Sequence, residues 1–575
     1  MSNIKEWKLY EAGKSYNSKL DPPYYKTVDT NIDFFNGNQW KNVKANGMPT
    51  PVFNILKRAV TFFVSSLMSN RTKVQYTPLE YREEKANIPQ EPIIDLLTGE
   101  TIKAEDKGPD LSDIATSEVE NLFDKFKMDN RIRDALFDAA IMGDVGAHIY
   151  FNPDKKPYNG QFDDIEGEIE FELVDGTNVY LGNANNPIIS TDIQPYIIIS
   201  GRDTVESLKR EAKIHKNNDN PETIETDSSG EDMPGTKEEI DFNIDINSDK
   251  LGKANYIIYY KYDHDTKTIH VTKCTEKAYI YKDIDTGLKF YPIAWLVWEK
   301  QKNQYHGRAV CTGIIPNQIF INRMFAMCMY NLMMTAFPKA VYNGDVIKQF
   351  TNEIGKAIEV RGMNPGESIS NYATYMDPGN MSSQIVQVLE LAIKYTKETI
   401  GINEAMMGDI NPENASGKSI IATVNQSIVP LENVKANLYE WIEDIGIILL
   451  DMMSNYYGTR PMVFKSAHGK NREVIDFDFS KLRNVYLSSK CDVGPSTYWS
   501  ELAGVETLDN LFEKGSIEIV DYLEALPEGY IPHKQELIDK LKTKAEELKL
   551  KAQQDIDNIM GGNVPIPSEV DVPIG

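Results

Sequence analysis

The sequence predicts an α+β protein that is mainly helical. Three observations predict it. Apolar residues recur at steps of three and four through 52–68, 111–142, 308–335, 383–399 and 419–457, the period of helices with one buried side. Between 145 and 298 the period shifts towards two, the signature of strands. The stretch 419–457 holds helical register unusually long, through Ile420, Val424, Ile428, Leu431, Val434, Leu438, Trp441, Ile445, Ile448 and Met452. At 1.5 Å per residue it would span roughly 58 Å. Pro430 predicts a kink inside it, because proline lacks the ladder donor and crowds the turn before it. The polar loop 403–418 precedes this helix, which reads as the scaffold that holds the loop in place.

The bulk numbers narrow the function. A length of 575 residues with 41% apolar content suits several domains with real cores. A net charge of −25 argues against a generic nucleic-acid binder, which needs basic surface to displace counterions. It leaves room for a protein that lets DNA pass without gripping it. Cys274, Cys311, Cys328 and Cys491 show no CxxC spacing, and the histidines no HExxH. Neither a disulfide framework nor a zinc site is expected, and a reducing cytosol fits. The N-terminus lacks the apolar core of a signal peptide. The most apolar window, 319–337, contains Asn322, Arg323 and Asn331, and reads as a buried helix rather than a membrane span.

In chain order, 1–50 is mixed polar and aromatic, with a turn predicted at FFNGNQW, 34–40, and Trp40 as its anchor. A helix follows at 52–68, a loop at 82–110 and a helical stretch at 111–142. Strands are expected at 147–151, 168–174, 196–200, 256–262, 268–273 and 291–298, with a helix at 203–213. The strongly acidic run 219–249 reads as a mobile excursion. The helix at 308–335 has a polar first half and a second half, MFAMCMYNLMM, that is apolar nearly all round. Such a surface needs cover on several sides, either from its own chain as an ordinary core helix or from other subunits. Methionine suits an interface whose packing shifts. Pro338 ends that helix, a small module spans 338–380, and a second helix begins at a Ser382 or Ser383 cap. Short strands are expected in 461–493, helices in 497–551, and a disordered tail after that.

Chemistry is sparse. Ser416-Gly417-Lys418-Ser419 fails as a phosphate loop because Pro412 stands where the first glycine belongs and the segment upstream is helical. No GxSxG elbow is present, and no carboxylate pair stands out as catalytic. His264, between Asp263 and Asp265, reads as part of a hairpin turn. No catalytic residue, metal ligand or cofactor is expected.

Several strings resemble, in order and spacing, the portal protein, the head-to-tail connector of tailed double-stranded DNA bacteriophages. They are Gly37-Asn38-Gln39-Trp40 with Pro51 and Asn54; the run 313–322 with Gln318 and Asn322; Thr399-Ile400-Gly401-Ile402 with Gly408; Ala415-Ser416-Gly417; and LDNLFEKGSI with the later IPHKQELIDKLK. The resemblance covers roughly 30–550. It does not extend to the acidic 219–249 run or the proline-rich tail.

The resemblance implies a non-enzymatic ring, usually of twelve copies, at one capsid vertex of the virion, assembled in the host bacterial cytoplasm. It implies a wing at 1–305, with an inserted β-rich region, continuing at 419–494 with the long kinked helix. Stem helices would lie at 306–335 and 381–400 and a clip at 336–380. A tunnel loop would span 401–418, a crown 495–551 and a disordered tail 552–575. Partners implied are double-stranded DNA in the channel, the terminase large subunit, a head-completion or adaptor protein and the major capsid protein, with no membrane. Asn411, Glu413, Asn414, Ser416 and Lys418 would face DNA from the tunnel loop. Lys394 and Lys397 would face the stem channel, against the plainer reading of all three lysines as solvated surface. Met327, Met329, Met333 and Met334 would meet the neighbouring subunit. Twelve copies at −25 each would carry about −300, so a duplex would slide rather than stick. Two other classes compete: a metal-dependent nuclease built on the acidic run, and a capsid scaffold that never closes into a ring.

Overall fold

The computed structural model describes residues 4–68, 72–78, 111–156, 165–215, 221–225, 252–336, 340–351, 357–362, 366–375, 383–401, 431–465, 472–484, 487–493 and parts of 508–541. The chain divides into two compact units, Met1–Asp492 and Val493–Gly575.

The larger unit opens with two helices that the sequence pattern did not show, α1 (Lys5–Lys19) and α2 (Tyr24–Phe35). The buried face of α1 rests on two aromatics three residues apart, Trp7 and Tyr10, rather than on an aliphatic stripe. Gly37 follows α2 at φ +92°, and the Trp40 indole donates to Pro51 O at 2.8 Å, so the expected turn and its anchor are both present. Helix α3 (Ile55–Leu67) is capped by Asn54, whose side chain accepts from Lys57 N. Strand β1 (Thr72–Pro78) was not anticipated, although its buried Val74 and Tyr76 alternate with exposed neighbours.

The stretch 111–142 is two helices, α4 (Leu111–Phe126) and α5 (Met128–Met142). Lys127 separates them at φ +52°, a left-handed conformation that no helix continues through. Three strands form one antiparallel sheet: β2 (Asp144–Asn152) lies between β3 (Glu168–Asp175) and β9 (Ile293–Val297). The others make a five-stranded antiparallel sheet in sequence order: β4 (Val179–Leu181), β5 (Ile197–Thr204), β6 (Lys253–Asp263), β7 (Thr268–Cys274) and β8 (Tyr279–Asp285). All six expected strands are present. Those missed are β4, too short to show a period, and β8, rich in charge and irregular in register against β7. His264 sits in the β6–β7 hairpin turn, closed by Lys267 N donating to Asp263 O at 2.9 Å.

Helix α6 (Val205–Ile214) carries one correction. The part of the acidic run at 221–225 packs on the fold rather than leaving it. Ile224 is buried with Leu208 and Ala212, while Glu222 pairs with Lys209 and Lys213 and Glu225 with Lys277. Acidity misled the reading because each of these carboxylates meets a lysine on the packed surface. Residues 219–220 and 226–249 lie outside the described residues.

After β9 come α7 (Val310–Ala336), then strands β10 (Ala340–Tyr342) and β11 (Ala373–Tyr375), paired antiparallel, then α8 (Ser383–Ile400). Gly401 closes α8 at φ +80°. Helix α9 (Glu432–Met452) is the interior of the unit. Each described member of the predicted apolar series, from Leu431 to Met452, is buried. The Trp441 indole donates to Ala294 O at 3.2 Å and the Asn437 amide to Val297 O at 3.0 Å, fixing α9 across β9. Tyr76 OH donates to Gly446 O at 2.6 Å, where the missing side chain allows close approach. The expected kink at Pro430 and the helix before it lie outside the described residues. A π turn, Met453–Tyr457, ends α9. The hairpin β12 (Thr459–Lys465) and β13 (Arg472–Asp478) follows, then β14 (Leu487–Val493), which pairs with β1.

In the smaller unit, α10 (Ile519–Ala525) contributes Leu523 to a cluster with Leu526 and Ile538.

Candidate channel wall and subunit interface

The first half of α7 is fastened by a clasp of amides. Gln318, fully buried, accepts through Oε1 from Ile55 N at 3.0 Å and Leu56 N at 3.4 Å. Its Nε2 donates to Phe53 O at 2.7 Å and Asn322 Oδ1 at 3.0 Å. Asn322 Nδ2 donates to Gln39 Oε1, and Gln39 Nε2 donates to Phe34 O at 3.0 Å. Asn54 Nδ2 donates to Phe35 O at 2.9 Å. Gln39, Asn54, Gln318 and Asn322, scattered in sequence, therefore join one network, through the shared Phe34 O, beside the Trp40–Pro51 bond. The clasp satisfies the first backbone donors of α3, which have no partner within their own helix. Buried amides left without partners would be costly, so the network has one satisfied arrangement.

A second joint sits where α7 leaves the sheets. Asp144, fully buried, accepts from Tyr24 OH at 2.8 Å, His306 Nδ1 at 2.9 Å and Gly307 N at 2.9 Å. The His306 ring stacks on Tyr24 with centroids 3.6 Å apart. Gly143 and Gly307 touch backbone to backbone: a Cβ on Gly307 would lie 2.2 Å from Gly143 O. Sequence reasoning missed this joint. Asp144 and His306 are 162 positions apart, and only the glycine beside each hinted at close approach.

Beyond Ala326, most apolar side chains of α7 are left exposed by the described residues of its own chain. Met327 is 51% exposed, Leu332 64% and Met333 53%, and Met329, Tyr330 and Met334 are also exposed. The expectation of a buried helix, and the reading of an ordinary core helix, therefore hold only for the first half. The reason is that the core ends before the helix does. Helix α8 packs against α7 and has two exposed flanks. One is apolar, with Val388, Leu391 and Tyr395. The other is polar, with Gln387, Glu390, Lys394 and Glu398. Lys394 Nζ lies 3.9 Å from Glu398 Oε1, and Lys397 is half-buried. Helix α8 carries Glu390 and Glu398 against Lys394 and Lys397, so its charges cancel.

Between α7 and α8 the chain passes through β10 and β11. Phe350 stacks on Tyr342 at 5.2 Å and meets Tyr375 edge-on at 6.2 Å, while Ile347 is buried beneath. The tunnel-loop residues Asn411, Glu413, Asn414, Ser416 and Lys418 lie outside the described residues. Among the described residues no cluster of His, Cys, Asp or Glu is arranged to hold a metal ion. No described helix is long and apolar enough to cross a membrane.

The family described as phage P22-like portal protein matches residues 16–473 of the chain. No curated protein matches it.

Proposed function

Because the chain belongs to the phage P22-like portal protein family, a structural rather than enzymatic family whose members form rings on phage capsids, we propose that its copies close, twelve to a ring, around a channel at one capsid vertex. DNA enters through this channel during packaging, is retained, and leaves on ejection. The observation that supports the reading is the second half of α7: a helix rich in exposed methionine, carried past its own core, presents an apolar surface that a neighbouring copy would cover. In this reading α7 and α8 are the stem, with Met327, Met329, Met333 and Met334 against the neighbouring copies. The segment 336–380 is the clip, where terminase docks first and a head-completion protein later. The 401–418 loop faces DNA through Asn411, Glu413, Asn414, Ser416 and Lys418. The neutral α8 fits a wall that does not hold DNA, and Lys394 acts as half of a pair with Glu398 rather than as a free cation.

Native mass spectrometry and negative-stain imaging of the purified full chain test this. Closed rings with a central hole are expected; monomers or open sheets under assembly conditions overturn it. Deleting 411–414 is expected to leave rings intact and to impair packaging or retention, read as DNA per particle. Normal filling removes the loop's role.

A further inference from the structure

Helix α7 offers apolar residues on two opposite sides. At about 100° per residue, Phe320, Met327 and Met334 fall on one line. Phe325, Met329 and Leu332 fall roughly opposite, on the side that the first half of the helix buries. There the patch does not end with the helix. The Phe53 ring lies 4.1 Å from Phe325, and Val52, Phe53 and Met48 are 41%, 46% and 37% exposed. This strap before α3 is not a loose loop. Trp40 holds Pro51 O and Gln318 holds Phe53 O, so the clasp that fixes α7 also presents Val52 and Phe53 at a set height beside it.

We infer that the strap 48–53 is a docking plate for a second copy of this chain, continuous with the Phe325–Met329–Leu332 side of α7. The inference rests on the ring reading and deepens it. A closed ring is built from head-to-tail contacts, so each copy needs two different faces rather than one face used twice. One α7 line, through Met327, supplies the first. The opposite line, widened by Phe53 and Val52, supplies the second. Continuity with the uncovered side of α7 argues for a second copy as the occupant, because a neighbour that covers Met329 reaches the plate without a break. Pre-ordering by the clasp lowers the entropy lost on docking.

The test places a cysteine on the plate, Phe53→Cys, and measures maleimide labelling at that position by peptide mass. Labelling in assembled rings is expected to be at least tenfold slower than in the monomer. Equal rates overturn the inference while the ring reading stands. The charge variant Val52→Asp/Phe53→Asp is expected to cut the ring fraction at least tenfold, with unchanged circular dichroism and Tm of the monomer. Rings at wild-type yield overturn it. If the wild-type chain never forms rings, both the ring reading and this inference fall.

Discussion

The two longest described helices, α9 and α7, place their apolar residues in opposite ways. Helix α9 buries Val434, Leu438, Trp441, Ile445, Ile448 and Met452 inside its own unit, wrapped by β9, β1 and β2. Helix α7 does so only as far as Ala326 and then leaves six large apolar side chains in solvent. One helix belongs to a fold that a single chain completes. The other carries its apolar side chains past the end of the core and leaves them exposed. An identical periodicity in sequence therefore carries two meanings, and only the ending of the core separates them.

Mutations can break this contrast. The largest expected effect on the monomer is at Trp441→Ala, which removes a buried indole and its hydrogen bond to Ala294 O. It should cost about 3–5 kcal/mol in chemical denaturation. A cost below about 1 kcal/mol would show that α9 is not the centre of its unit. Next is Gln318→Leu. It fits the space but takes the partners from Leu56 N and Asn322 Oδ1, and should cost about 2 kcal/mol while loosening the amide protection of α3 in hydrogen exchange. A third comparison uses pH. Burial pushes the Glu118 carboxyl up to about 7, against partial relief from Asn121 and Arg460. The folded state therefore binds more protons than the unfolded one between about 4.5 and 7. Stability falls as pH rises through that window and stays lower above it. Glu118→Gln should raise the unfolding free energy at pH 8 by more than at pH 5, by an amount on the order of 1 kcal/mol; an equal change at both would count against a protonated buried carboxyl. Asp138 and Asp444, also raised to about 7 by burial and neighbouring carboxylates, leave some slope behind. The smallest effect is at Met327→Ala, expected within about 0.5 kcal/mol of wild type for the monomer. A cost comparable to that of Trp441→Ala would erase the distinction between the two helices.

The legible parts of the fold were those where one side of an element is buried by aliphatic residues. The helices α3, α7, α8 and the described part of α9 and the six longer strands were placed within a few residues for that reason. Helix α1 escaped because its buried side is an aromatic pair within a polar segment. The break at Lys127 escaped because a left-handed lysine leaves no mark in hydrophobic periodicity. Of the site, several residues carrying the family resemblance proved to be physical partners: Asn322 bonds Gln39 and Gln318, and Trp40 bonds Pro51. That meeting could not be derived from spacing, since hydrogen bonds over 260 positions have no period. The Asp144–His306 pair was illegible for the same reason.

The contact of Gly143 with Gly307 has a consequence for variation. Any other amino acid at Gly307 would drive a carbon into a carbonyl oxygen, and at Gly143, at φ +111°, it would also force an unfavourable backbone. A library randomised at both codons and selected for infectious particles should return glycine twice. These two smallest residues set how closely the turn before α7 approaches the end of α5, and no larger side chain fits between them.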